Sequence, residues 1–489
     1  MNIQISPSIL LLVVAAYSAL LFLIAKITSK NSTNLDFFNG SRQSPWPIVA
    51  FGMIGATLSG VTFISIPGIV KTTQFSYLQM VIGYGVGYAV IAYVLLPLYY
   101  RKNLISIYGY LQQRFGRQTQ ITGSAFFILS RLIGASFRLY LMSMVLQDFI
   151  LVHFGISFWQ TVLISLVLIW LYTAKAGIKT IVWTDTLQTF FMILAVVVAI
   201  FTITSGMNQN LVDMFSVVKN SDFSKTFFFE NGWQDKNNFI KQVLAGALIA
   251  IVMTGLDQDM MQKNISCKTL KESQKNIKLF YVILVLVNIL FLFLGALLYL
   301  YANQSGIELP EQTDKVFPFL AFNSMPAYFG IIFLVGLLAA AYSSADSALT
   351  SLTTSYCLDI LNNENTSKTT RMLIHFGFSI LLFLIILVFR YFLESSAITG
   401  LFTLAGYTYG PLLGLFAFGI LSKKQIYNSF VPILAILAPV ITFFMNKYSK
   451  ELFFGYSFGF ELLLINGLIM FFSLFLLTKK PTNKTSPAF

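Results

Sequence analysis

Thirteen apolar stretches, each about 20 residues long, run through this chain almost from end to end. A bilayer core requires ~20 apolar residues for one helical crossing. Backbone groups inside hydrocarbon must be paired within their own segment, so such stretches fold as helices. The spans are expected at about 8–27, 46–70, 75–99, 121–151, 157–174, 180–205, 238–262, 277–303, 326–361, 371–392, 396–421, 425–446 and 457–477. The expected fold class is an all-α polytopic membrane protein with about 13 transmembrane helices. Only 10% of the 489 residues are charged, against roughly 25% in a soluble domain. No stretch is polar and long enough for a separate soluble domain; the longest connection runs from Ser205 to Lys236. The first run, Ile9 to Ala25, has no basic segment ahead of it, and Lys26 and Lys30 follow it. It reads as a retained helix rather than a signal peptide.

The net charge of +13 does not point to nucleic acid, because the basic residues are distributed by loop rather than clustered on an aromatic platform. With the N-terminus outside, alternate loops on the inner side hold 21 of the 32 Lys and Arg, including Arg101, Lys102, Arg114, Arg117, Lys175, Lys179, Lys263, Lys268, Lys271, Lys275, Lys278, Lys423, Lys424, Lys480 and Lys484. That asymmetry is the positive-inside signature, and one helix more or fewer would scramble it. It predicts a multi-pass protein of the plasma (inner) membrane with a cytoplasmic C-terminus. Cys267 and Cys357 are the only cysteines, which leaves no disulfide framework or Cys-based zinc site. His153 and His375 stand without a motif and read as interfacial or packing residues.

After the first helix, ten spans fall into two groups of five. An odd group size makes the second group enter the membrane from the opposite side, as an inverted-topology repeat requires. The expected divisions are an accessory helix in 1–35, a first five-helix repeat in 36–205, an extracellular loop in 206–237, a second repeat in 238–422, and two accessory helices with a short tail in 423–489.

The second span carries Gly52, Gly55, Gly60, Pro67 and Gly68. Glycine frees the backbone to unwind and proline removes a donor. Unwound carbonyls at membrane depth belong where they line a cavity or hold an ion; the alternative is close helix packing through small residues. The ninth span carries Ser343, Ser344, Asp346, Ser347, Thr350, Ser351 and Thr354, and Ser343, Ser347, Thr350 and Thr354 share one face. Hydroxyls with one carboxylate are hard oxygen ligands that suit an alkali cation, while calcium would want more carboxylates. A polar helix–helix seam is the competing reading.

Four further groups stand out. Asp185 enters the sixth span from the inner side and is expected to share a membrane level with Asp346; either it complements the helix dipole or it serves a functional site. Arg131 and Arg138, seven residues apart in the fourth span, each need an acceptor. An internal acid such as Asp148 or Asp185, backbone carbonyls, or an anionic solute would serve. Asp257 and Asp259 are expected to end the seventh span at the cytoplasmic face, as a surface gate or loop anchor. The basic run Lys263 to Lys278 reads as topological signal with anionic-lipid contact.

Five segments resemble the sodium/solute symporter family. Phe37 to Arg42 with Pro45-Trp46 is similar to the family's approach to its first core helix, and Ala56 to Gly68 to that broken helix. Gly177 to Gln188 is similar to the fifth core helix, Ala339 to Asp359 to the eighth, and Gly406 to Gly414 to the tenth. The match covers about 36–425. The resemblance implies a LeuT-type fold of two five-helix inverted repeats and Na+ as coupling ion. It implies a main sodium site from the carbonyls of Gly55, Leu58 and Ala340 and the hydroxyls of Ser343 and Ser344. It implies a second cation site at Asp185, where Asp346 and Ser347 stand in the turn that usually offers Ser or Thr. Asp346 is a departure that either strengthens that site or replaces its sodium by a proton. Where the sugar-carrying branch places an acid or amide, this chain has Val61 and Thr62. Thr57, Ser59 and Thr62 look like the branch that carries sialic acid and other carboxylates, in which an Arg meets the carboxylate; Arg131, Arg138 and Tyr409 join them as solute candidates.

The expectation is sodium-coupled import of a small organic solute by alternating access, the solute being a carboxylate such as sialic acid or a monocarboxylate. A sodium- or proton-coupled carrier of a neutral sugar or polyol such as myo-inositol is the alternative. A membrane enzyme lacks a nucleophile with its base, and a transporter-like sensor would add a signalling domain. The expected partners are the solute, Na+ and the lipid bilayer, with no nucleic acid and no obligate protein partner.

Overall fold

Helix forms along every expected span in the computed structural model, which describes residues 5–28, 34–174, 177–230, 232–392 and 397–479. Lys30, Lys175, Lys480 and Lys484, assigned above to inner loops, lie outside the described residues. In chain order the principal helices are α1 (Pro7–Thr28), α2 (Trp46–Thr57), α3 (Gly60–Thr73), α4 (Tyr77–Arg101), α5 (Arg117–Phe149), α6 (Phe158–Thr173) and α7 (Ile178–Gly206). There follow α8 (Phe239–Gly255), α9 (Gln258–Ile265), α10 (Leu270–Ser305), α11 (Thr313–Asn323), α12 (Ala327–Ile360), α13 (Lys368–Tyr391), α14 (Ala397–Thr408), α15 (Gly410–Leu421), α16 (Asn428–Lys447) and α17 (Leu462–Leu477). The described residues contain no β-strand.

Eight of these helices are long and apolar enough to cross a membrane, and eleven crossings result among the described residues if each bent pair counts as one. The pairs are α2 with α3, bent by 59°, α8 with α9, bent by 66°, and α14 with α15, bent by 45°. The expected spans at 157–174 and 457–477 correspond to the shorter apolar helices α6 and α17.

The first bend falls in the glycine-rich span, as its composition implies. The spans at 238–262 and 396–421 bend as well. The span at 238–262 ends α8 in a wide π-type turn at Ile251–Gly255 and restarts at Gln258. Asp257 explains the restart, because its carboxylate accepts from the amides of Asp259 (2.9 Å) and Met260 (3.3 Å), as a helix N-cap does. The span at 396–421 breaks at Tyr409, just before Gly410-Pro411. The proline at the first turn of α15 has no amide to give, so a new helix begins there at no cost in hydrogen bonds.

The long helix α10 begins seven residues before the expected 277, capped by Thr269, whose hydroxyl accepts from the Glu272 amide at 3.2 Å. Lys271, Lys275 and Lys278 therefore ride on its first turns rather than in a loop. The connection expected at 206–237 contains a short helix, Leu211–Lys219.

Packing is closest between α4 and α8. A Cβ on Gly83 would lie 2.2 Å from the Val243 carbonyl, and one on Gly246 would lie 2.1 Å from that of Met80. Only glycine allows two backbones that near, and small-residue seams are how helices associate without a hydrophobic drive. At the opposite extreme, Leu373, Leu384 and Val388 on α13 and Ile433, Ile436 and Phe443 on α16 stay exposed. Such apolar flanks suit hydrocarbon rather than water.

Candidate cation and solute site

Helix α2 ends at Thr57, so the carbonyls of its last turn lose their partners one turn on. The Ile54 carbonyl keeps an amide, that of Leu58, at 2.6 Å. Those of Gly55 and Leu58 accept no backbone amide among the described residues. Gly55 itself lies against α12 and α7: a Cβ there would sit 3.2 Å from Ser343 Oγ and 2.5 Å from Thr189 Oγ1. The broken span and the serine face of the late helix thus touch, as the resemblance requires. Ser343 is buried and its hydroxyl has no hydrogen-bond partner among the described residues. The Ser344 hydroxyl donates to the Ala340 carbonyl at 3.2 Å. Two carbonyls without a backbone amide among the described residues, the Ala340 carbonyl and two hydroxyls are neutral hard oxygens of the kind that suits a monovalent cation.

The sixth expected span, now α7, supports this cluster. Thr189, unnoticed in the sequence, accepts from the Gly55 amide at 2.9 Å. It stands one turn after Asp185, and that spacing is the signal that would have found it. Asp185, Asp346 and Ser347 are all buried. Ser347 Oγ donates to Asp185 Oδ2 at 3.3 Å. Asp346 accepts from the Ser347 amide at 2.6 Å and from the Tyr172 hydroxyl at 3.0 Å. Asp185 and Ser347 therefore come together as expected, with Asp346 beside them.

The acids of the second bend correct the sequence reading. Asp257 and Asp259 are fully buried, so they form neither a surface gate nor a loop anchor. The bend at Leu256–Asp257 carries them inside, where they meet Arg131. The Arg131 guanidinium bonds Asp259 and lies 3.9 Å from Asp257 Oδ2. Arg131 thus has an internal partner, though neither Asp148 nor Asp185; Asp148 is exposed. Tyr409, at the third bend, donates to Asp257 Oδ2 at 2.6 Å. Lys263 is corrected most sharply. It is a buried residue of α9, and its Nζ lies 2.7 Å from Asp185 Oδ2. No loop signal is left to it.

Arg138 differs from Arg131. It is buried, forms no ion pair among the described residues, and its Nε and Nη1 have no hydrogen-bond partner. With Thr57, Ser59 and Thr62 it lines a cavity of about 60 Å³ that also meets Tyr88, Thr254 and Asn288. Arg138, Arg131 and Tyr409 border a smaller adjoining space. A wider cavity of about 510 Å³ lies beyond, lined by Thr73, Gln242, Thr313, Thr403 and Asn446. Tyr77, Ile398 and Phe402 border both it and the 60 Å³ cavity, and so divide them.

At the other end side chains near the helix ends close over the site. Tyr99 and Tyr108 donate to the carbonyls of Gly255 and Leu256, each at 2.8 Å. Asp359 gathers Ser106 (2.7 Å), Gln120 (2.8 Å) and Ser355 (2.8 Å). Cys267, in the turn between α9 and α10, is buried; burial first, and then the nearby Glu272 carboxylate, push its thiol up to about 12.

Broken spans with free carbonyls, opposed by hydroxyls and a buried unpaired arginine, define a secondary transporter. The sodium:solute symporter family matches residues 37–427, and the chain belongs to that family. It is 27% identical to the sodium/sialic acid symporter NanT of Aliivibrio fischeri, across 86% of this chain and 84% of that one. It is 26% identical to the sodium/sialic acid symporter SiaT of Proteus mirabilis, across 91% of each. Its fold is that of a solved Na+-coupled sialic acid symporter in a substrate-bound, outward-open state, with a TM-score of 0.82 and 22% identity over 96% of this chain and 99% of that one.

Proposed function

We propose that this symporter imports a carboxylate-bearing solute of the sialic acid class together with sodium, and that Arg138 receives the carboxylate. The observation that carries this reading is the unpartnered Arg138 guanidinium beside Thr57, Ser59 and Thr62. A buried guanidinium without an acceptor is costly, and a bidentate carboxylate relieves that cost. Arg131 and Tyr409 already hold Asp259 and Asp257 and are positioning residues in this reading.

Sodium as cargo sits among the Gly55, Leu58 and Ala340 carbonyls and the Ser343 and Ser344 hydroxyls. It ties α2 to α12 and fixes the break from which Thr57 and Ser59 face the solute. Each ligand then stabilises the conformer that the other prefers, which is a reciprocal coupling. The present cavity of about 60 Å³ is far below the ~300 Å³ at which organic ligands are usually held. Loading therefore requires Tyr77 and Phe402 to part toward the wider cavity. Release requires the Asp359 cluster and the tyrosine bonds to open on the other side.

Basic inner loops orient the chain with its N-terminus outside and its C-terminus cytoplasmic, in the plasma (inner) membrane. Counting α6 and α17, it crosses thirteen times, within the division at 35, 205, 237 and 422 given above.

The test is uptake of labelled sialic acid, lactate and myo-inositol into proteoliposomes with and without an inward sodium gradient. Sodium-driven sialic acid uptake is expected. Sodium-driven uptake of myo-inositol alone would assign the site to a neutral solute and remove Arg138 from its role.

A further inference from the structure

The second cation site implied by the family resemblance is already taken by a cation of this chain. Asp185 is the only full charge that α7 brings to it, and Asp185 Oδ2 has two neighbours, Ser347 Oγ at 3.3 Å and Lys263 Nζ at 2.7 Å. Lys263 is 1% exposed and also lies 3.9 Å from Asp259 Oδ1. An ammonium is a compact monovalent charge that takes oxygens in several directions. Here it stands on one oxygen of the Asp185 carboxylate, while the other, Oδ1, has no hydrogen-bond partner among the described residues. Asp346 adds no free carboxylate, since both its oxygens accept hydrogen bonds, from Tyr172 and from the Ser347 amide. A sodium ion beside Asp185 would share that carboxylate with the charge of Lys263, 2.7 Å away, in a buried setting where like charges repel strongly. Arg131 cannot compensate, because it is itself a cation bound to Asp259.

The placement of Lys263 has a mechanical side. Asp185 belongs to α7 and Lys263 to α9, the restarted arm of a broken span. A sodium ion at this position would come and go with each cycle. A tethered ammonium leaves only when α9 moves.

We infer that Lys263 acts as a built-in second cation at Asp185, so that the chain binds and couples a single sodium ion. This rests on the reading of the Gly55–Ser343 cluster as the main sodium site.

The experiment is equilibrium binding of ²²Na⁺ to the purified full chain, with sodium-dependent uptake alongside. Wild type is expected to bind one sodium per chain with a Hill slope near 1. Lys263→Met is expected to bind two, with a slope rising towards 2, and Lys263→Met with Asp185→Asn is expected to return to one. Lys263→Arg, which keeps the charge, is expected to stay at one. Two sodium ions per wild-type chain would overturn the inference, and so would a folded Lys263→Met that still binds one. If Lys263→Met does not fold, Lys263→Gln replaces it, and the wild-type count alone still decides against the inference when it is two. No sodium bound by wild type would sink the main-site reading and the one-ion count with it, while an ion gained on loss of Lys263 would still show that the ammonium holds the Asp185 position.

Discussion

Two bent spans open the two groups of five helices, and they are built on opposite electrostatic plans. The break at Leu58–Ser59 is neutral: free carbonyls, hydroxyls and no charged side chain of its own. The break at Leu256–Asp257 is crowded with charge, its two acids held by Arg131, Tyr409 and the α9 amides. A neutral break leaves oxygen lone pairs for an ion that arrives bare. A charged break pairs its charges with one another, and removing one member strands its partner. In the proposed reading one bend is the binding site and the other a joint.

The sharpest way to break this contrast is to remove the hydroxyls at the neutral bend. Ser343→Ala with Ser344→Ala is expected to abolish sodium-driven uptake and leave melting nearly unchanged, because Ser343 Oγ has no protein partner to strand. Uptake and thermal melting measured together decide it. Retained sodium dependence would make the first bend a joint like the second.

The charged bend is expected to answer in the other coordinate. Asp259→Ala leaves Arg131 buried without its main partner. Breaking a buried pair in this way costs about 3–5 kcal/mol. A large fall in melting temperature should follow even without ligand. An unchanged melting curve would mean that water reaches Arg131 and that the joint is wet.

Arg138 sharpens the comparison, because it lies between the two bends and belongs to neither. Arg138→Lys keeps the charge and loses the planar fork. The expected effect is a KM for the carboxylate solute raised ten- to a hundredfold, equivalent to about 1.5–3 kcal/mol for a charge-assisted bond, with melting unaltered. A KM within twofold of wild type would transfer the carboxylate elsewhere.

How far the sequence reaches follows the same division. The neutral bend was legible because glycine and proline write backbone freedom directly into composition, and Ser343 to Thr354 write a polar face by their spacing. The second bend carries Gly255, but a cluster of acids next to a basic run looks like a cytoplasmic loop. What distinguishes Asp257 is a capping role, visible only once a helix is known to restart at Gln258. Lys263 was hidden for a related reason. Hydropathy assigns a lysine to water, and only the bend and Asp185 opposite show that it is an interior ion. The choice between Arg131 and Arg138 was likewise closed to the sequence, since both lie on one helix face and only three-dimensional pairing shows which is spent. The third bend had a local signal, Gly410-Pro411 after Tyr409, that an otherwise unbroken apolar run concealed.

The smallest expected effect tests what holds the neutral bend in shape. Thr189 Oγ1 accepts from the Gly55 amide at 2.9 Å and lies 3.5 Å from the Gly52 carbonyl. It is thus the brace by which α7 steadies the last turn of α2. Thr189→Val keeps the volume and removes the oxygen, taking this acceptor from the buried Gly55 amide. One such bond is worth about 1 kcal/mol, or roughly a fivefold change in an equilibrium constant. The expected outcome is a sodium concentration for half-maximal uptake raised about fivefold, with the maximal rate preserved and Thr189→Ser close to wild type. Serine restores the oxygen but not the methyl, so its rescue separates the hydrogen bond from packing. An unaltered sodium dependence in Thr189→Val would show that α2 holds its own broken end, and that α7 contributes only the pair between Asp185 and Lys263.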